Sequence, residues 1–410
     1  MDLQDLTRRD RRLVKLARRV KVLTTLGWPP EVEERFLASM QAGQPELPRP
    51  PQVDVDLSEV VDGLHQLLAI LDESHPLERF LVRTARAVID TAQMLQGAHT
   101  PAFTQHAIAL YGQPRQALHP GAPTHLEAAE HFVERSVRPR LGAPAETLSD
   151  AEAAAAIRQA LSEVFADAPL PVELDERLTS KAAAGSRRVA LRTGARFSPT
   201  EVAQLIEHEA LVHSATKRAG RAQPVLSALG LSTARTTLAQ EGLATFAEMI
   251  TDTMDLFRLR RIALRIVAIQ AALDGADFIE VFHLFQEAGQ RDTEAFHSAR
   301  RIFRGGDVRG RVVFTKDVVY LRGLFRVHTF LLEAGQAGRD DLIRVLFSGR
   351  MTLGDALELE PFFRDGTLTY GPVMPAWAHN TACLAAYLAW AAYNDRFSLQ
   401  ALSLDDFRES

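Results

Sequence analysis

Six residues near the middle of the chain, His208-Glu209-Ala210-Leu211-Val212-His213, bring together the side chains that metal-assisted hydrolysis requires. Two neutral imidazoles can hold a divalent ion, and an adjacent carboxylate, Glu209, can take a proton from water beside it. The more familiar four-residue histidine spacing works because such positions stand about 40° apart on an α-helix; at five residues they diverge by about 140°. A shared ion then demands a local distortion, and a π-bulge is the economical one, because its i to i+5 hydrogen bond brings the two residues back into line. The spacing therefore predicts a wide turn between His208 and His213. Ser198-Pro199-Thr200-Glu201 opens the helix that carries them, with a serine cap, proline at the first position and glutamate to close a capping box. A third ligand is expected from the helical segment downstream that contains Gln240-Glu241-Gly242-Leu243-Ala244 and Glu248. Glu241 and Glu248 are seven apart and share one face, so spacing leaves both open. Gly242 would admit a neighbouring helix, or the ion, to close range.

Hydrolysis also needs a donor for the developing oxyanion, and Tyr320 and His328 are the candidates. In the segment that starts at Thr315, itself a possible helix cap, Lys316, Tyr320 and Gly323 recur at spacings of four and three, so a cation and a phenol share a face. That pairing suits a grip on a terminal carboxylate. Arg304-Gly305-Gly306 offers a planar guanidinium beside open backbone, and Arg192 and Arg196 are further anion contacts. The short strand over residues 188–192 is expected beside the cleft, with a free edge for an extended substrate. The other histidines, among them His125 and His379, have no paired metal spacing and are read as structural.

Four ordered motifs carry a resemblance: His208-Glu209-x-x-x-His213, Gln240-Glu241-Gly242-Leu243-Ala244, Arg304-Gly305-Gly306, and Phe314-Thr315-Lys316-Asp317-Val318-Val319-Tyr320-Leu321-x-Gly323. With them the chain resembles the metallopeptidase family of the tubulin carboxypeptidases and the bacterial proteins named for a QEGLA motif and flavohemoglobin expression. The resemblance implies a gluzincin-like core and one Zn²⁺ per chain held by His208, His213 and Glu241. It also implies Glu209 as general base, and so settles the choice between Glu241 and Glu248. Glu248 is left as a partner for a metal-bound histidine. The implied activity is that of a carboxypeptidase acting on the C-terminal tail of a peptide or protein. A composition of bacterial type, rich in Ala, Arg and Leu, argues against tubulin itself as substrate. Two other readings compete: a non-catalytic, metal-stabilised regulatory or scaffold protein, and an endopeptidase or aminopeptidase. Glu209 weighs against the first, since a structural site has no use for a general base.

The elements that must position these groups are mostly helical. At 410 residues, with 46% hydrophobic and 24% charged side chains, the composition is that of a globular protein. The 47 basic and 52 acidic residues are mixed along the chain, which excludes a nucleic-acid or membrane partner as an expectation. The single cysteine, Cys383, excludes an internal disulfide or a cysteine metal site and fits a cytoplasmic protein, as does a charged N-terminus unlike a secretory signal. Apolar periodicity predicts a helix over residues 6–23, another from Pro30, and more from Leu57 with breaks at Pro76, Pro101 and residues 112–123. Strands are predicted only over 170–174 and 188–192. Helices return over 198–218, 237–253, 256–273, 278–288 and 315–333, and a buried C-terminal helix is expected over 376–393. The expectation is a mainly α protein with a small sheet: a helical N-terminal region over 1–165, a catalytic region over 166–340 and a C-terminal helical region over 341–410 that packs on it. Oligomeric state is not readable.

Overall fold

The computed structural model describes residues 2–135, 144–165, 169–176, 178, 181–184 and 188–394. Among them the chain is mainly α-helical with one small sheet, as the sequence pattern predicts. The first stretch forms α1 (Leu3–Ala17), α2 (Val22–Thr25), α3 (Pro30–Gln41), α4 (Ser58–Leu68), α5 (Pro76–Gln96), α6 (Pro101–Tyr111), α7 (His125–Arg135) and α8 (Asp150–Val164). Prolines open α3, α5 and α6, where a missing N–H costs nothing. The helix expected over 6–23 stops at Ala17 and is followed by the separate turn α2.

Strands β1 (Val172–Asp175), β2 (Ala182–Ala184) and β3 (Val189–Arg192) make a sheet of order β1-β3-β2, β1 parallel and β2 antiparallel to β3. An alanine run such as β2 has no strand signature of its own and was not foreseen; it pairs because β3 offers an edge. The consequence corrects an expectation. β3 has a neighbour on each side, so residues 188–192 present no free edge to a substrate.

The chain continues with α9 (Pro199–Leu205), a π-helical segment (Ile206–Ser214), α10 (Ala215–Arg221), α11 (Ala234–Ile250), α12 (Leu256–Asp274), α13 (Phe278–Glu287) and α14 (Asp292–Phe303). Then come α15 (Val319–Gln336), α16 (Asp341–Leu346), α17 (Leu353–Arg364), α18 (Ala376–His379) and α19 (Thr381–Asn394). Short 3₁₀ turns at Ser227–Gly230 and Thr315–Val318 lead into α11 and α15. Helix α14 was not read from the sequence, although Phe296, Ala299, Ile302 and Phe303 bury one face at helical spacing. The expected C-terminal helix breaks at Asn380; in α19 Leu384 and Leu388 are buried and Tyr387 packs on Phe246, while Trp390 is 66% exposed.

The largest apolar cluster joins Leu13, Phe80 and Phe103 to Leu243, Phe246 and Leu324, and these to Phe347, Leu359 and Leu388. Early, central and late segments thus share one core. A phenylalanine cluster packs α3 against α13 and α14 through Phe36, Phe278, Phe282 and Phe296. A third seats α8 against the sheet and α9 through Ile157, Leu161, Val189, Phe197 and Val202. Each buried Phe contributes roughly 1.5–3 kcal/mol of burial free energy. Among the described residues no helix is long and apolar enough to cross a membrane.

Candidate metal centre

The helix that bears both histidines starts as its sequence dictates. Ser198 Oγ accepts from Glu201 N at 3.1 Å, Glu201 Oε2 accepts from Ser198 N at 2.9 Å, and Pro199 takes the first position. After two turns of α9 the hydrogen bonding widens to the π pattern over Ile206–Ser214. This is the wide turn that the five-residue spacing demands. The rings of His208 and His213 come to 4.8 Å between centroids, nearly perpendicular.

Glu241, on α11, completes the group. Its Oε2 lies 3.6 Å from His208 Nε2 and 3.5 Å from His213 Nε2, and one ligand atom from each of the three residues falls within 4.8 Å of the others. Two imidazole nitrogens and a carboxylate oxygen form a donor set suited to zinc and similar divalent ions. Glu248, two turns along α11 and fully buried, takes the other side of His208: Oε1 accepts from Nδ1 at 2.6 Å. With Nδ1 committed there, Nε2 is the nitrogen that faces the group. Arg258 on α12 closes the back of this arrangement, its Nε and Nη2 donating to the two Glu248 oxygens at 3.1 and 3.0 Å.

The electrostatics are those of packed opposite charges. Burial pushes Glu248 up, but Arg258 and His208 outweigh it and hold the carboxyl near 2. Burial likewise opposes ionisation of Glu241, which Lys316 and the two histidines keep well below the usual range. His208 without a metal is held up to about 10 by Glu241 and Glu248 against the pull of burial. Glu209 is half-buried beside the group, and among the described residues its carboxylate has no hydrogen-bond partner.

Two glycines let these helices approach. A Cβ on Gly242 would stand 2.4 Å from the carbonyl of Gly323 on α15, and one on Gly323 would stand 2.5 Å from the Leu238 carbonyl. That crossing brings the start of α15 against Glu241. Lys316 Nζ lies 3.2 Å from Glu241 Oε1 and 5.2 Å from the Tyr320 ring. Thr315, expected as a cap, makes no capping bond; its Oγ1 is buried without a partner among the described residues. The Tyr320 hydroxyl accepts from Arg301 Nη2 at 3.3 Å, and Arg301 in turn forks onto Asp317 at 2.5 and 2.8 Å. Arg265 approaches the same aspartate at 3.6 Å.

Arg304 sits beside this cluster with its guanidinium 5.4 Å from the Phe314 ring, Nε buried without a partner, and burial with Arg301 pulls it down to about 10. No carboxylate pairs with it among the described residues. Its glycines do not form an open anion nest: Gly306 N donates to Phe303 O, and a Cβ there would meet Val312 O at 2.1 Å. His328 stands further along α15 with its ring 6.2 Å from Phe246, apart from the ligand group. Arg192 lends its charge to Glu33 and His297, and Arg196 donates to the backbone of Glu146 and Thr147. Sequence reasoning passed over Arg258, Arg301 and Arg350, and gave no role to Asp317 although it lies in the fourth motif. For Arg258 the one signal available was arginines at 258, 261 and 265 on the mostly apolar helix α12.

Fold and site together define a mainly helical protein with a His, His, Glu group, His208 buried and the other two half-buried, able to hold a metal ion. Residues 34–396 match the family described as microtubule-associated tyrosine carboxypeptidase, and the chain belongs to that family of peptidases. No curated protein matches it.

Proposed function

We propose that the protein is a zinc-dependent carboxypeptidase with a gluzincin-like core, removing one or more residues from the C-terminal end of a peptide or protein. His208, His213 and Glu241 would hold the ion. Bound there, zinc supplies Lewis acidity that polarises the scissile carbonyl and lowers the pKa of water. Glu209, without a hydrogen-bond partner among the described residues, accepts the proton from the attacking water and returns it to the departing amine. The Tyr320 hydroxyl, steadied by Arg301, donates to the carbonyl oxygen as charge develops on it. Arg304, without an acidic partner among the described residues, receives the substrate's terminal carboxylate, with Lys316 nearby but already engaged by Glu241. Glu248 and Arg258 keep His208 in the tautomer that presents Nε2.

The observation that carries this reading is the convergence of His208, His213 and Glu241, with Glu209 next to them unpaired among the described residues. The family's description makes a C-terminal tyrosine the first residue to offer. The test is elemental analysis of the purified protein, together with mass spectrometry of peptides of varied C-terminus incubated with the parent and with Glu209→Gln. One zinc per chain and loss of C-terminal residues, slowed about 10²- to 10⁴-fold in the variant, is the expected result. Full activity in Glu209→Gln refutes the general-base role, and a protein that takes up no zinc refutes the reading.

A further inference from the structure

We propose that Arg350 is a positioning residue for the metal group: its guanidinium ties the end of the π segment that carries His213 to the start of the helix that carries Glu241. The inference rests on the proposed metallopeptidase site and goes beyond its ligands. Arg350 comes from the late part of the chain, between α16 and α17, 137 residues after His213.

The contacts are specific. Arg350 Nη2 donates to His213 O at 3.0 Å, and Nη1 donates to Ser232 Oγ at 2.6 Å, two residues before α11 begins. The residue is itself anchored, because its backbone N donates to Leu229 O at 2.6 Å in the 3₁₀ turn leading to α11. Gly349 fits the same turn, since a Cβ there would lie 2.9 Å from Leu229 Cβ. One rigid fork therefore spans both ligand-bearing segments.

His213 O, near the end of the π segment, accepts from two side chains, Arg350 Nη2 and, at 3.5 Å, Thr216 Oγ1. The guanidinium also faces the charges of Glu209 and Glu241, without a salt-bridge contact to either. A cation at this place opposes uptake of a metal ion, so a contribution through charge and one through geometry have opposite signs. They can be separated.

The informative variant is Arg350→Lys, which keeps the charge and loses the planar fork. Zinc affinity is measured by competition with a chromophoric chelator, and ligand geometry by the visible absorption of the Co²⁺-loaded protein. Zinc affinity is expected to fall about 10- to 100-fold, the usual cost of losing a group that orients a metal ligand, and the cobalt bands are expected to shift. The metal-free protein should keep the parent's melting temperature. Ser232→Ala removes only the arm to α11 and should give a smaller loss in the same direction; it serves as the test if the Arg350 variant does not fold. Unchanged zinc affinity and cobalt spectra overturn the proposal, including the case in which only melting temperature drops. A parent protein that binds no zinc overturns instead the metallopeptidase reading on which the proposal rests.

Discussion

Replacing Gly242 by alanine tests whether the crossing of α11 and α15 sets the geometry of the ligand group. The added Cβ would stand 2.4 Å from both the carbon and the oxygen of the Gly323 carbonyl and 2.7 Å from its Cα. Carbon atoms prefer about 3.5 Å, so the helices must part by about 1 Å or bend. Neither glycine has a side chain that can rotate away. Overpacking of this kind costs about 1–3 kcal/mol, and here it acts beside Glu241, whose carboxylate must reach two imidazoles and Lys316 at once. Gly242→Ala is expected to lower both the melting temperature and the zinc affinity. Gly335→Ala is the control: it lies near the end of α15 with nothing within 4 Å of its Cβ position. Filling that position should be neutral or gain roughly 0.5–1 kcal/mol. Melting temperature by scanning calorimetry and zinc affinity by chelator competition read both effects. If Gly242→Ala behaves like Gly335→Ala on both measures, the close approach does not fix the site.

Glu248→Gln leaves Arg258 buried without its counter-charge and weakens the hold on His208; a loss of about 3 kcal/mol in stability and of 10- to 100-fold in zinc affinity is expected from calorimetry and metal titration. Arg304→Gln should reduce cleavage of peptides with a free C-terminal carboxylate about 10- to 100-fold while sparing amidated ones, and equal losses on both would remove the carboxylate grip. Lys316→Met, in contrast, should also weaken metal binding because Lys316 holds Glu241. His125 is fully buried with neither ring nitrogen hydrogen-bonded among the described residues, and burial, with Arg322 nearby, pulls it down to about 4. The unfolded chain takes up a proton near pH 6.5 that the folded chain resists until about pH 4, so stability should decline as pH falls through that window. His125→Leu should flatten that part of a plot of melting temperature against pH; an unchanged slope would mean that His125 does not titrate this way.

What could be read in advance was what neighbours in sequence decide. The capping box at Ser198, the wide turn that five-residue histidine spacing forces, and a glycine beside Glu241 are local chemistry, and each has a physical counterpart in the fold. Strand β2 was missed because three alanines carry no preference and follow the edge available to them. Arg258, Arg301 and Arg350 were missed because an arginine's partner lies wherever folding brings it, and a lone arginine in a sequence looks like any solvated one. The converse holds for His328 and Arg192. Both are of the right type for the chemistry, but α15 carries His328 past the site to Phe246, and β3 points Arg192's charge towards α3 and α14.

A π segment is also the trace of length change in a helix. One residue more than the α frame requires has been absorbed within Ile206–Ser214, with ordinary α-helix before and after it. Shortening the stretch Ala210-Leu211-Val212 by one residue would bring the histidines to four-residue spacing, where a regular α-helix already aligns two imidazoles. The helix on either side would keep its register. A deletion that would derail most buried helices is, at this place, a change of helix type, and the five-residue and four-residue histidine patterns become two lengths of one device rather than two inventions.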